Sequence, residues 1–294
     1  MSFLPFLIPL YYGYNAYVNT FFESPSEQVN DSGSSVRLQK GTPGYSETAK
    51  QQSSHKIKEE LKPFFEKIDV REDVIISESL SVGFCKAKGT NFFTKGDAAI
   101  IVGPGFNEID KDACHFGIKH EASHIRYNDC FTTCFIPAVC TMATAIFITL
   151  ARRPVSRVAS LLATDTIGFV SYVAFSRYRE EKADDLAIAE SSNDELKGGR
   201  RILLSIQALN QAFYEENQKT LWGKIMASSS GENRLDIEHP TLKSRIAKIE
   251  NALKQRSVFV DARDESEKID RLKNYISNTL SQIEKELEKT KAVR

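Results

Sequence analysis

His120-Glu121-Ala122-Ser123-His124 is the clearest provision for chemistry in this sequence. On a helix, side chains four residues apart project from one face, so both imidazoles can reach a single metal ion. Glu121 follows His120 by about 100° of helical rotation, which sets a carboxylate beside that ion, within reach of a water proton. Zinc lowers the pKa of a water it binds to about 7, which makes hydroxide available near neutral pH. The chain has five histidines, His55, His115, His120, His124 and His239, so this spacing seldom arises by chance.

A hydrolytic zinc site needs a third protein ligand and an open position. Beyond His124 the remaining histidine is His239, so no third His follows closely. Acidic candidates lie in SRYREEKADDLA, residues 176–187. There Glu180 and Asp184 stand four apart, and so do Glu181 and Asp185. In such a pair the Glu can bind metal while the Asp accepts the second N–H of a ligating His and fixes its tautomer. Spacing alone leaves both pairs open.

These groups need elements to hold them. An unbroken helical stretch from about Glu108 to Asp129 carries the histidines. Before it, DVIISESL, SVGFCKA and AAIIVGPG are short β-branched runs with Gly-containing turns, the pattern of strands. An amphipathic helix is expected at about 56–67, with Leu61, Phe64, Phe65 and Ile68 on one face. Cys130 to Leu150 is 21 residues without a charge, and at ~1.5 Å per residue it matches a ~30 Å hydrocarbon core. Val158 to Phe175 reads as the return leg of a hairpin, with Pro154 in the turn and Asp165 facing its partner helix or a wet cavity. Later helices are expected at 197–219, at 241–254 and over a last stretch where Ile269, Leu272, Ile276, Leu280, Ile283 and Leu287 alternate at three- and four-residue steps. That seam suits self-association or packing on the domain.

Composition narrows the classes. Lys+Arg and Asp+Glu are balanced at 39 each, so no electrostatic argument favours a nucleic-acid partner. The five cysteines are odd in number and include no Cys-x-x-Cys pair, which argues against a disulfide framework. Residues 1–22 form an apolar, aromatic, membrane-associated segment without the basic start of a secretory signal. Residues 23–55 are Ser-, Gln- and Gly-rich and read as a polar linker.

The order of parts resembles the HtpX-type and CAAX prenyl protease-type family of integral-membrane zinc endopeptidases. The shared features are the strand pair, the His-Glu-x-x-His helix, a membrane hairpin, and Ser176-Arg177-Tyr178-Arg179-Glu180-Glu181-Lys182-Ala183-Asp184, which fits the family's Ser-Arg-x-x-Glu-x-x-Ala-Asp in register. His239-Pro240 and Arg245-Ile246 match a further family signature. The resemblance implies Glu180 as third ligand with Asp184 behind it, one Zn2+ ion, and His239 near the site as a stabiliser of the oxyanion. Two departures stand out: Ser123 replaces the family's Gly, and the family's Asn-Ala-Phe has its nearest text in Val82-Gly83-Phe84.

The expected fold is mainly α with a small β-sheet (α+β), a gluzincin-like metalloprotease domain interrupted by a transmembrane helical hairpin. The domain covers 56–256 with the hairpin at 130–175, and 257–294 form a C-terminal helical tail. A protein or peptide substrate is expected along an edge strand near 98–105, with the lipid bilayer as the other partner, no nucleic acid, and self-association through 269–287. The enzyme is expected to be multi-pass in the membrane with its site on the cytoplasmic side, where Arg126, Arg177, Arg179 and Lys182 flank the hairpin. The competing expectations are a membrane-anchored interaction protein with an inert metal site, and a soluble zinc protease whose apolar runs are core helices.

Overall fold

A computed structural model describes residues 47–69, 75–78, 85–88, 99–103, 105–127, 154–257 and 262–292, together with Val139, Met142, Ala143 and Ile146. Among these, eight helices and three strands follow in order: α1 (Glu47–Lys67), β1 (Ile75–Glu78), β2 (Cys85–Lys88), β3 (Ala99–Val102), α2 (Phe106–Ile109), α3 (Lys111–Arg126), α4 (Pro154–Glu190), α5 (Asn193–Asn217), α6 (Leu221–Met226), α7 (Leu242–Gln255) and α8 (Ala262–Ala292). The fold is mainly helical with one small sheet, as expected. The segments 1–22 and 23–46 lie outside the described residues.

The sheet order is β1-β3-β2, with β1 parallel and β2 antiparallel to β3. This corrects one expectation. The run near 98–105 supplies the central strand, and among the described strands the edges belong to β1 and β2. Its residues explain the placement: Ile100, Ile101 and Val102 are all buried, as a strand covered on both faces requires.

Helix α3 lies between two apolar cores. Ala113, Cys114, Ile118, Ala122 and Ile125 join α1, the sheet, Ile202 of α5 and Leu272 of α8. Phe116 joins Ala187 of α4, Leu196 and Leu203 of α5, and Ile246, Ile249 and Leu253 of α7. Cys114 is a free, buried thiol, consistent with a small apolar role. The expected single helix at 108–129 is instead α2 and α3, broken at Asp110. That residue takes an extended conformation and its carboxylate accepts the Ala113 N–H, a cap that starts α3 afresh.

The cap is itself anchored. Arg201 of α5, 2 % exposed, donates through Nε and Nη2 to Asp110 (2.6 and 2.8 Å) and through Nη1 to Glu265 of α8 (2.7 Å). One guanidinium thus ties the start of α3 to α5 and α8 with the paired geometry that a buried charge needs. Helix α8 is therefore packed on the domain. Leu272 and Ile276 are in the core, and Leu280 is the first described seam residue left exposed.

Two further expectations change. Helix α1 begins at Glu47, inside the stretch that reads as linker. Helix α4 is one element of 37 residues, so the expected return span, Val158–Phe175, runs without interruption into the acidic motif. Among the described residues no helix is long and apolar enough to cross a membrane. Thr164, Asp165, Thr166 and Ser171 dilute the apolar character of α4. The first expected span, Cys130–Leu150, lies outside the described residues but for its four helical positions.

Polar contacts set how α4 and α5 turn past α3. Lys119 Nζ donates to the Glu190 carbonyl (3.0 Å) and to Glu195 (2.7 Å), and Glu195 also accepts the Ser192 N–H (2.6 Å) in a capping box that opens α5. Burial would raise the Glu195 pKa, but hydrogen bonds from His115, Lys119 and Ser192 outweigh it and hold it at about 2. Helix α5 then crosses α3 very closely. A Cβ on Gly198 would stand 2.3 Å from the Ala113 nitrogen, and one on Gly199 2.5 Å from the Phe116 ring.

Two outcomes are expected. Gly198→Ala, which in an open helix would add roughly 1 kcal/mol of stability, should instead cost on the order of 2 kcal/mol in denaturant unfolding; a neutral or stabilised variant overturns the close crossing. Because the folded pKa of Glu195 lies below its ordinary 4.5, its contribution is complete above pH 4.5 and fades as pH falls towards about 2. The stability gap between the native chain and Glu195→Gln should narrow across that window, and a gap of constant size refutes the assignment.

Candidate active site

His120 and His124 occupy one face of α3, and Glu180 and Asp184 occupy the facing side of α4. The two helices run antiparallel, since Lys119 meets Glu190 and His120 meets Asp184 while His124 meets Glu180. His120 Nε2 lies 3.3 Å from His124 Nε2 and 3.2 Å from Glu180 Oε2, and His124 Nε2 lies 3.4 Å from Glu180 Oε1. These three residues could hold a metal ion. Tetrahedral ligands bonded to a metal at about 2.0–2.1 Å stand roughly 3.3–3.4 Å apart, so the two imidazole nitrogens are already at that spacing, with one Glu180 oxygen near each.

The structure separates the two acidic pairs that spacing left open. Glu180 and Asp184 are buried and face the histidines. Glu181 and Asp185 are exposed, and Asp185 pairs with Lys248 at 2.8 Å. One turn of helix therefore carries site acids inward and ordinary surface acids outward.

Behind the cluster, Asp184 Oδ1 lies 3.0 Å from His120 Nδ1, which turns Nε2 of that ring towards Glu180. Asp184 is held in turn by Arg245 of α7, whose Nη2 and Nε donate to its two oxygens at 2.7 and 2.8 Å. In the sequence Arg245 is part of a signature with no evident task. Its position shows one: the planar fork holds the carboxylate that faces the imidazole. Its signal in the sequence was a lone arginine in an amphipathic helix, which ordinarily faces solvent.

His239 is brought to the same place by a structured loop. The Glu232 carboxylate accepts the Leu242 and Lys243 N–H groups, Tyr172 donates to Glu238 (3.0 Å), and Arg177 donates to the Ile237 carbonyl (3.0 Å). His239 Nδ1 lies 2.6 Å from Asp236, and its Nε2 points to Glu180 Oε2 at 3.6 Å. Asp236, three residues ahead of the histidine, escaped sequence reasoning altogether. Glu121 is half-buried on α3, one step round from His120. Ser123, where the family has Gly, is fully buried, so the position still admits only a small side chain.

The electrostatics match a cation site. Burial disfavours charge on His120, but hydrogen bonds to Asp184 and Glu180 outweigh it and raise its pKa to about 10. Burial would likewise raise the Glu180 pKa, yet the His120 hydrogen bond and the charges of His120, His124 and His239 hold it at about 2. Asp184 is pushed well below the usual carboxylate range against its own burial, by His120 and Arg245. His239 is raised, chiefly by its hydrogen bond to Asp236. A metal ion entering this cluster takes the place of protons, so its uptake releases them.

No curated protein and no solved structure matches the chain. A family model for peptidase family M48 matches residues 85–253, from β2 to α7, which is more than half of the chain and includes every residue placed at the site above. Its members are metal-dependent peptidases, and the His120, His124 and Glu180 cluster is of the kind that such activity needs. The chain belongs to peptidase family M48.

Proposed function

We propose that the chain is a membrane-embedded, zinc-dependent endopeptidase acting on membrane or membrane-proximal proteins. The observation that carries the chemistry is the cluster of His120, His124 and Glu180, in which the two imidazole Nε2 atoms lie 3.3 Å apart and each has a Glu180 carboxylate oxygen at 3.2–3.4 Å. Two imidazoles and a carboxylate with an open fourth position are a hydrolytic zinc set. When bound, zinc supplies Lewis acidity and makes water a stronger acid.

The protein's own groups do the rest. Glu121 takes the proton of the attacking water and passes it to the leaving amine. Asp184, locked by Arg245, keeps His120 in the tautomer that offers Nε2. Asp236 orients His239, whose Nε2 donates to the oxyanion as it forms. An extended substrate segment adds to the free edge of β2, which packs beside α3 and follows Val82-Gly83-Phe84 directly. Strand β2 thus replaces the central run near 98–105 as the substrate ladder.

The membrane reading rests on two features. Cys130–Leu150 carries no charge, and Met142, Ile146, Leu162, Ile167, Phe169 and Val170 are each more than half exposed. Large apolar side chains exposed in this way are costly in water and favourable against lipid. Arg126, Arg177, Arg179 and Lys182 at the catalytic end favour a site on the cytoplasmic side.

Zinc content and cleavage of an unfolded membrane-protein substrate, measured together on three variants, test the chemistry. Glu121→Gln should keep its zinc and lose about 10²–10⁴-fold in rate. Glu180→Ala should lose the zinc, and Glu181→Ala should keep both zinc and activity. Full activity in Glu121→Gln, or zinc loss in Glu181→Ala alone, overturns the assignment, and a native chain with neither zinc nor cleavage indicates an inert interaction protein.

A further inference from the structure

Two groups of the site hang on one turn of helix. Helix α7 starts at Leu242, and Arg245, which holds Asp184, lies in its first turn. His239 precedes that turn, with Pro240 and the N-cap Thr241 between. Pro240 fixes its own φ, so the path from the turn back to His239 has little freedom. Where the first turn of α7 stands decides where His239 stands.

The opening N–H groups of a helix lack partners in its own ladder. In α7 the Thr241 hydroxyl accepts the Ser244 N–H (3.2 Å), and the Arg245 N–H makes a regular bond to the Thr241 carbonyl (3.0 Å). The N–H groups of Leu242 and Lys243 both go to the carboxylate of Glu232, at 2.9 Å each. A carboxylate there also meets the positive end of the helix dipole. Glu232 is itself anchored. Its N–H donates to Ser228 Oγ (3.0 Å), its carbonyl accepts the Ser228 N–H (2.9 Å), and the Arg234 N–H donates to the Met226 carbonyl (2.9 Å). One side chain thus closes the segment 232–242 at its base.

The other holds on this segment act differently. Asp236 accepts the His239 backbone N–H and faces its Nδ1, so it orients the ring within the loop but travels with the loop. Tyr172 and Arg177 of α4 reach Glu238 and the Ile237 carbonyl by one bond each, and the Arg177 bond is exposed. Arg245 is fixed at its far end by two bonds to Asp184. His239 Nε2, by contrast, stands 3.6 Å from Glu180 Oε2, beyond hydrogen-bond length, so the loop sets that distance.

We propose that Glu232 is a positioning residue of the active site: by joining the two ends of the 232–242 segment, it sets where His239 stands relative to Glu180 and the reacting carbonyl, while touching neither. This rests on the peptidase reading above, with His239 as donor to the oxyanion. A misplacement of about 1 Å at such a donor can cost on the order of a hundredfold in rate, so loosening the base of the loop is felt at the site.

Cleavage of an unfolded membrane-protein substrate, zinc content and trypsin sensitivity of the full chain test this. In Glu232→Gln one carboxylate oxygen becomes an NH2 group, which cannot accept from an N–H, so one of the two bonds is lost. That variant should lower kcat about tenfold with KM and zinc content unchanged. In a His239→Ala background the same substitution should change kcat by less than about twofold, because the group it places is gone. Trypsin cutting after Arg234 should quicken about tenfold in Glu232→Gln, while cuts elsewhere keep their rates. Glu232→Asp, which keeps the charge and shortens the reach, should fall between the two on every measure, and takes its place should Glu232→Gln not fold. Undiminished kcat, an equal loss in the His239→Ala background, loss of zinc, or unchanged cutting after Arg234 each overturn the proposal. A native chain that neither holds zinc nor cleaves removes the peptidase reading and this role with it. Native cleavage that Glu232→Gln leaves intact removes this role alone.

Discussion

Helix α3 is packed between two apolar cores, yet it carries His115, Lys119, His120 and Ser123 in its buried surface. A buried charged or imidazole group without a partner is costly, so Lys119 and His120 above all draw partners from other elements. Much of the architecture around α3 answers that demand. Glu195 and the Glu190 carbonyl meet Lys119, Asp184 and Glu180 meet His120, and Arg201 steadies the Asp110 cap. The contacts that satisfy α3 are also the contacts that place α4 and α5. The cluster of His120, His124 and Glu180 is therefore assembled by the same contacts that build the fold.

The same logic orders the groups behind the cluster. Arg245 is half-buried and needs an acid, Asp184 is buried and needs a cation, and His120 carries Nδ1 within 3.0 Å of the same carboxylate. One carboxylate thus serves both neighbours in a three-member chain. Breaking such a chain at one end leaves the other members uncompensated, which makes the arrangement rigid as well as specific.

How much of this was legible in the sequence follows from how local each signal is. His120 and His124 declare themselves because one helix brings them together, and the three strands were readable from β-branched runs. Spacing alone could not separate Glu180 from Glu181: the resemblance in register picked Glu180, and which side of α4 faces α3 is a fact that no spacing contains. The strand order was hidden for the same reason. Ile100, Ile101 and Val102 read equally well as an edge or a centre until the pairing with β1 and β2 is known. Arg245 and Asp236 were passed over because a lone charge in a polar stretch is normally solvated; Arg245 finds its acid on another helix, and Asp236 meets His239 across a loop whose shape the spacing does not reveal. The start of α1 at Glu47 shows the opposite limit, where a polar composition conceals helical structure.

Helix α4 runs unbroken from Pro154 to Glu190, so the segment that bears Val170 and the carboxylate of Glu180 belong to one rod. Ten residues, about 15 Å, separate the two along the axis. If the rod leans by about 5° around Val170, Glu180 is carried sideways by roughly 1.3 Å, and misplacement of about that size can cost a hundredfold in rate. The contacts of Glu190, Asp184 and Glu180 with the histidine helix resist that lean. Whatever pushes on Val170 is therefore passed along an unbroken helix to the cluster of His120, His124 and Glu180, with no hinge between the hand and the load.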